Sequence, residues 1–126
     1  MARAAQFASL GRSGVIKPTR LLESFPTPAN VVSVEMVSDE VTAVCPVTKQ
    51  PDQYTVSVVY VPGARCAESK SWKLKLQSYR NKGIFCEALA SELADHLVAS
   101  LHPISVRVAV KQKPRGGVSI TGVAQR

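Results

Sequence analysis

Apolar and polar positions first alternate along this chain, then recur at helical spacing, then alternate again. Residues 1–30 hold no sustained period, because Gly11, Ser13, Gly14, Pro18, Pro26 and Pro28 interrupt it. They read as an irregular N-terminal arm in which residues 21–26 (Leu-Leu-Glu-Ser-Phe-Pro) pack as a short anchored segment. From Val31 the pattern is extended: Val32, Val34 and Met36 alternate with Ser33, Glu35 and Val37, and residues 40–44 carry it to Cys45. Tyr54, Val56, Val58 and Tyr60 then share one face of a strand that Pro62-Gly63 ends. The stretch from Cys45 to Gln53 is the connection between these strands, a hairpin stiffened by Pro46 and Pro51.

Helical spacing takes over at Ser69, where Trp72, Leu76 and Tyr79 fall at i, i+4 and i+7. Asn81-Lys82-Gly83 interrupts it, and Gly83 suits a C-cap or the turn between helices. A second helix is predicted from about Ile84 to Leu101, with Phe85, Leu89, Leu93, Leu97 and Leu101 as its apolar stripe and Pro103 as its stop. Ile104, Val106, Val108 and Val110 alternate with Ser105, Arg107, Ala109 and Lys111. Residues 114–117 (Pro-Arg-Gly-Gly) make a turn, and Val118, Ile120 and Val123 mark a last strand. The order is ββααββ. It predicts an α+β domain over residues 31–126, a four-stranded, mainly antiparallel sheet with two helices on one face.

Composition narrows the function classes. A chain of 126 residues is one domain with a modest core, so assembly into an oligomer would help it. The net charge of +7 favours an anionic partner, such as a phosphate-bearing cofactor or nucleic acid. The charges are dispersed rather than gathered in an arm, so direct nucleic-acid binding is not expected. Three cysteines without paired spacing argue against a disulfide scaffold or zinc finger and suit a reducing cytoplasm. No apolar run approaches the roughly 20 residues of a membrane span, and no metal site is expected from the lone His96 and His102. GxGxxG and Walker loops are absent, so a dinucleotide would have to be held at a surface built from several subunits.

Each candidate side chain has two readings. Cys45 is a small buried hydrophobe or a thiolate nucleophile, which needs a nearby cation, dipole or base. Asp52 is a turn aspartate or, sharing a pocket with Cys45, a proton donor. Glu68 and Glu87 are solvated first-turn carboxylates or acceptors for the N–H and amino edge of a guanine-like ring. Lys70, Lys73 and Lys75 are a solvated helix face or a phosphate site, and Phe85 is core or a stacking platform. Cys66 and Cys86 read as structural.

The runs Leu22 to Pro26, Cys45 to Asp52, Glu68 to Leu74 (Glu-Ser-Lys-Ser-Trp-Lys-Leu), Tyr79 to Gly83 and Pro114 to Gly117 resemble, in order, the NADPH-dependent 7-cyano-7-deazaguanine reductases of QueF type, in their short single-module form. The resemblance implies a tunnel fold, with Cys45 attacking the nitrile carbon to form a thioimidate and Asp52 protonating the nitrogen. Two NADPH molecules would supply the hydrides, in queuosine (7-deazaguanine) biosynthesis and tRNA modification. It assigns Glu68, Ser69, Phe85, Cys86 and Glu87 to the substrate, and Lys70, Ser71, Lys73 and Arg115 to the cofactor. It also implies a homo-oligomer, a pentamer or a decamer of two pentamers, with sites between subunits. Two positions depart from the pattern: Cys86 stands where the family has a proton-transferring histidine, and Lys75 stands where it has an aromatic residue. The other readings are a QueF-like amidinotransferase, which adds ammonia to the same thioimidate, and a non-catalytic purine- or RNA-binding module.

Overall fold

The computed structural model describes residues 20–126; residues 1–19, part of the expected arm, lie outside the described residues. The elements run β1 (Ser24–Pro26), β2 (Val34–Val44), β3 (Pro51–Val61), β4 (Arg65–Ala67), α1 (Ser69–Gln77), α2 (Cys86–Leu101), β5 (Ser105–Gln112) and β6 (Thr121–Gln125). The long strands form one antiparallel sheet in the order β2-β3-β5-β6, with the helices inserted between the two strand pairs, as the periodicity predicts. β1 pairs with β4 in a separate two-stranded ribbon, with Phe25 opposite Cys66, and this anchors residues 24–26. At three residues each, neither β1 nor β4 is long enough for alternation to register in the sequence.

The core forms where the two periodicities meet. Tyr54, Val56, Val58 and Tyr60 of β3 and Val106, Val108 and Val110 of β5 are buried on one sheet face. Leu89, Leu93, Leu97 and Leu101 of α2 cover them, with Trp72 and Leu76 of α1 beside β2. Each such side chain contributes about 1.5–3 kcal/mol of burial. Among the described residues, no helix is long and apolar enough to cross a membrane.

Several boundaries differ from the sequence expectation. β2 begins at Val34, and Val32 is exposed; β6 begins at Thr121, leaving Val118 and Ile120 outside it. α1 ends at Gln77 with Ser78 as its C-cap, so Tyr79 sits in the following turn, yet buried. Gly83 does not cap a helix but bridges Val44 in parallel. Phe85 leaves the apolar stripe: it is the N-cap of α2 and 51% exposed.

One irregularity in β2 decides what its end presents. Ser38 pairs with Val56 and Val41 with Tyr54, so β2 spends three residues where β3 spends two. That bulge inverts the alternation. Before it, Val34, Met36 and Ser38 are half-buried; after it, Val41, Ala43 and Cys45 are buried. The extra residue turns the sulfur of Cys45 inward.

Candidate active site

Cys45 directly follows β2 and opens the hairpin to β3. Its N–H donates to the Gln50 carbonyl (2.8 Å), and its own carbonyl accepts from the Lys49 N–H (3.0 Å), with Lys49 left-handed at φ 63°. This tight turn folds the Val47 and Thr48 amides back over the sulfur, and the Thr48 N–H donates to Sγ at 3.5 Å. Hydrogen bonds from the Thr48 hydroxyl, the Thr48 and Val47 amides and, least, the Arg115 guanidinium lower the Cys45 pKa to about 6, against an opposing effect of burial. The thiol is therefore mostly ionised at neutral pH, which is the state a nucleophile needs. Cys45 is itself only 4% exposed, whereas residues 47–50 beside it are exposed.

Asp52 pairs across the ladder with Ala43 and lies on the same buried face as Tyr54. Arg115 reaches it from the β5–β6 hairpin, with Nη1 3.1 Å from the Asp52 Oδ1. The hairpin tip is closed by the Arg115 N–H donating to the Val118 carbonyl (3.1 Å) and the reverse bond (3.3 Å). Gly116 (φ 63°) and Gly117 (φ 80°) form its two central positions, a backbone that side chains adopt only with strain. The Lys113 N–H donates to the Gln53 carbonyl (2.9 Å), which ties the hairpin to the start of β3 beside Asp52.

The N-terminus of α2 forms the next wall. The Val44 N–H donates to the Lys82 carbonyl (3.0 Å) and the Ile84 N–H to the Val44 carbonyl (3.1 Å), which brings residues 84–87 to the end of β2. The fully buried Tyr54 hydroxyl donates to the Ile84 carbonyl at 3.4 Å. Burial first, then the neighbouring Asp52, push this phenol up to about 12, so it stays a neutral donor. Cys86 is 1% exposed and donates to the Glu87 Oε1 at 3.4 Å. Burial and that bond push its thiol up to about 11, so it stays protonated while Cys45 ionises. Glu87 is exposed, as is Phe85 before it. A Cβ at Gly122 of β6 would lie 2.8 Å from the Glu87 Cα and 3.2 Å from the Cys86 carbonyl oxygen, so only glycine lets the helix end sit this close.

A second group of candidate residues surrounds the start of α1. Glu68 is its N-cap: Oε2 accepts from the Lys70 N–H and Oε1 from the Ser71 N–H, both at 2.8 Å. The buried Ser71 hydroxyl donates to the Glu68 carbonyl (2.8 Å) and accepts from the Glu23 N–H (3.1 Å), which turns it inward. Ser69, Lys70 and Lys73 are exposed. Ser69, Trp72, Lys73 and Arg80 line a groove of about 750 Å³ against β2 residues 36–42. None of Cys45, Asp52, Cys86, Glu87 and Arg115 lines that groove. Lys75 stands away from it, its ammonium 5.0 Å from the Tyr79 ring centroid. Among the described residues no cluster of His, Cys, Asp and Glu could hold a metal ion.

Thr48, Tyr54 and Gly122 are site residues that motif reading passes over. Tyr54 shares strand parity with Asp52, a signal the sequence carries; the nearness of Gly122 to α2 leaves no sequence signal. The arrangement provides a thiol with a lowered pKa, a carboxylate on the same wall and an exposed carboxylate at a helix start, which suits covalent addition to an electrophilic carbon.

Known proteins resemble this chain closely. A family described as QueF-like protein matches residues 51–126. The NADPH-dependent 7-cyano-7-deazaguanine reductase of Syntrophus aciditrophicus is 44% identical over 92% of this chain and 83% of its own length. Reductases of the same name from Anaeromyxobacter sp. (strain K), 43% identical over 81% of this chain and 85% of their own, and Chlorobium chlorochromatii, 42% over 80% and 89%, align likewise. Among solved structures, the apo archaeosine synthase QueF-Like superposes with a TM-score of 0.72 at 31% identity, over 79% of this chain and 94% of that one.

Proposed function

The chain belongs to the QueF-like protein family and has its tunnel fold, and on that premise we propose that it reduces the nitrile of 7-cyano-7-deazaguanine to the aminomethyl group through a thioimidate on Cys45. The observation that carries the reading is the buried Cys45 sulfur, held near pKa 6 by the Thr48 hydroxyl and the turn amides. As the Cys45 thiolate adds to the nitrile carbon, a C–S bond forms and one C–N π bond moves onto nitrogen, which takes a proton. Asp52, on the same wall, is the group placed to give it, passing on the proton that the Cys45 thiol loses. Glu87 and Glu68 accept from the N–H and amino edges of the ring, Ser69 assists, and Phe85 stacks on it. The Cys86 thiol, protonated and bonded to Glu87, orients that carboxylate rather than shuttling protons as a histidine would.

NADPH is the cofactor, and the exposed side chains of Lys70 and Lys73, with Arg80 beside the groove, fit a phosphate-bearing dinucleotide. Bound there, two NADPH in turn supply the two hydrides that take the carbon from nitrile to amine oxidation level. The separation of the α1 group from the Cys45 wall, and the open edges at β2 and β6, support a homo-oligomer whose sites join neighbouring subunits. A cytoplasmic place in queuosine biosynthesis follows from the substrate. Amidino transfer from the same thioimidate is the second reading, favoured by the likeness to an archaeosine synthase. Three relatives named as reductases at 42–44% identity support the first.

The test is intact-mass spectrometry after mixing the protein with 7-cyano-7-deazaguanine alone. A mass increase equal to the nitrile, lost in Cys45→Ala, is expected; an adduct that persists in Cys45→Ala overturns the nucleophile assignment.

A further inference from the structure

Arg115, placed above among cofactor-phosphate ligands by resemblance, does something else within its own chain. Its Nη1 is 3.1 Å from the Oδ1 of a carboxylate that is only 5% exposed, while the guanidinium itself is 40% exposed. The backbone that delivers it is over-determined: a two-glycine tip closed by two hydrogen bonds, with Lys113 fastened to Gln53 one residue from Asp52. The same guanidinium also acts on Cys45, as the smallest of the contributions that lower that thiol's pKa. The nucleophile and the carboxylate beside it thus share one cation.

We infer that Arg115 is a positioning residue for the nucleophile: it holds the Cys45 sulfur and the Asp52 carboxylate together in the same chain before any cofactor arrives. The thiolate and the carboxylate would otherwise repel across a site with little water to screen them. The guanidinium offsets that repulsion, and its planar fork can serve both anions at once, which a single ammonium does less well. This role goes beyond the reductase reading, but its catalytic meaning rests on that reading.

The first readout needs no cofactor and no nitrile. The Cys45 thiolate is followed by ultraviolet absorbance from pH 4 to 9 in the wild type, Arg115→Met and Arg115→Lys, each against the same protein carrying Cys45→Ser. Arg115→Met is expected to raise the midpoint by about half a unit to one unit, and Arg115→Lys to recover part of that shift. Adduct formation with 7-cyano-7-deazaguanine without NADPH is then expected to slow about two- to fivefold at pH 6 in Arg115→Met, in step with the lost thiolate. A midpoint in Arg115→Met that superposes on the wild type, with only the KM for NADPH raised, overturns the inference and leaves Arg115 a phosphate ligand. A shifted midpoint in a protein that never captures the nitrile sustains the inference and overturns the reductase reading.

Discussion

Replacing Gly122 by alanine tests whether the start of α2 is placed by its close approach to β6. The new Cβ would stand 2.8 Å from the Glu87 Cα, 3.1 Å from the Glu87 nitrogen and 3.2 Å from the Cys86 carbonyl oxygen. All three are backbone atoms, so no flexible side chain can yield. Reaching ordinary contact above 3.4 Å from 2.8 Å moves the helix end by at least about 0.6 Å. Overpacking of this kind costs about 1–3 kcal/mol. At roughly 3–6 °C per kcal/mol for a domain between the small and mid-sized classes, Tm should fall by about 3–18 °C. Because the displaced residues carry the Glu87 carboxylate and its Cys86 donor, substrate capture should weaken about tenfold or more as well. Gly63→Ala is the control: its Cβ would lie 2.9 Å from the His102 carbonyl oxygen, at the other end of α2. It should lower Tm without changing the concentration of 7-cyano-7-deazaguanine that half-saturates the enzyme. Thermal denaturation and initial-rate kinetics on both variants decide the matter. A Gly122→Ala protein with Tm within about 1 °C of wild type and unchanged saturation refutes the reasoning.

Thr48→Val removes the largest contribution lowering the Cys45 pKa, so the thiolate midpoint should rise from about 6 by roughly one unit, read by ultraviolet titration against Cys45→Ser. His96 is depressed from 6.5 to about 4, by burial first and then by Lys75, and its Nε2 is buried without a hydrogen-bond partner. The unfolded chain then binds the proton more readily, so this contribution is full above pH 6.5 and lost as pH falls from 6.5 through about 4; His96→Leu should flatten the fall of Tm across that window. The lowered Cys45 pKa acts in a different window, its stabilisation full above pH 9 and lost as pH falls through about 6. Lys73→Ala should raise the KM for NADPH and spare the NADPH-free adduct; an adduct lost with it would move Lys73 to the substrate.

The sheet and α2 were legible because period two and the fourfold leucine stripe are imposed by burial itself. Tyr54 to Tyr60 and Leu89 to Leu101 lie where the spacing puts them. Phe85 broke the stripe because a helix needs a non-helical cap, and at φ −85°, ψ 157° that residue points out of the core. The bulge at Ser38/Val41 is invisible to pattern reading, since 36 and 41 belong to opposite parities and each looks regular locally. Yet that bulge turns Cys45 inward. The motifs located Cys45, Asp52 and Arg115, but the ion pair between the last two depends on a hairpin reaching back across 62 intervening residues, a long-range closure that no local spacing encodes. Thr48 escaped notice for a simpler reason: a turn threonine has many uses, and only the fold directs its amide and hydroxyl at a sulfur.

The most direct measurement follows nicotinamide absorbance while the protein consumes a known amount of 7-cyano-7-deazaguanine with excess NADPH. Two NADPH oxidised per nitrile, with the aminomethyl product recovered and the activity lost in Cys45→Ala, is the predicted result. A Cys45 adduct that forms without NADPH oxidation contradicts the account and directs the chemistry to ammonia.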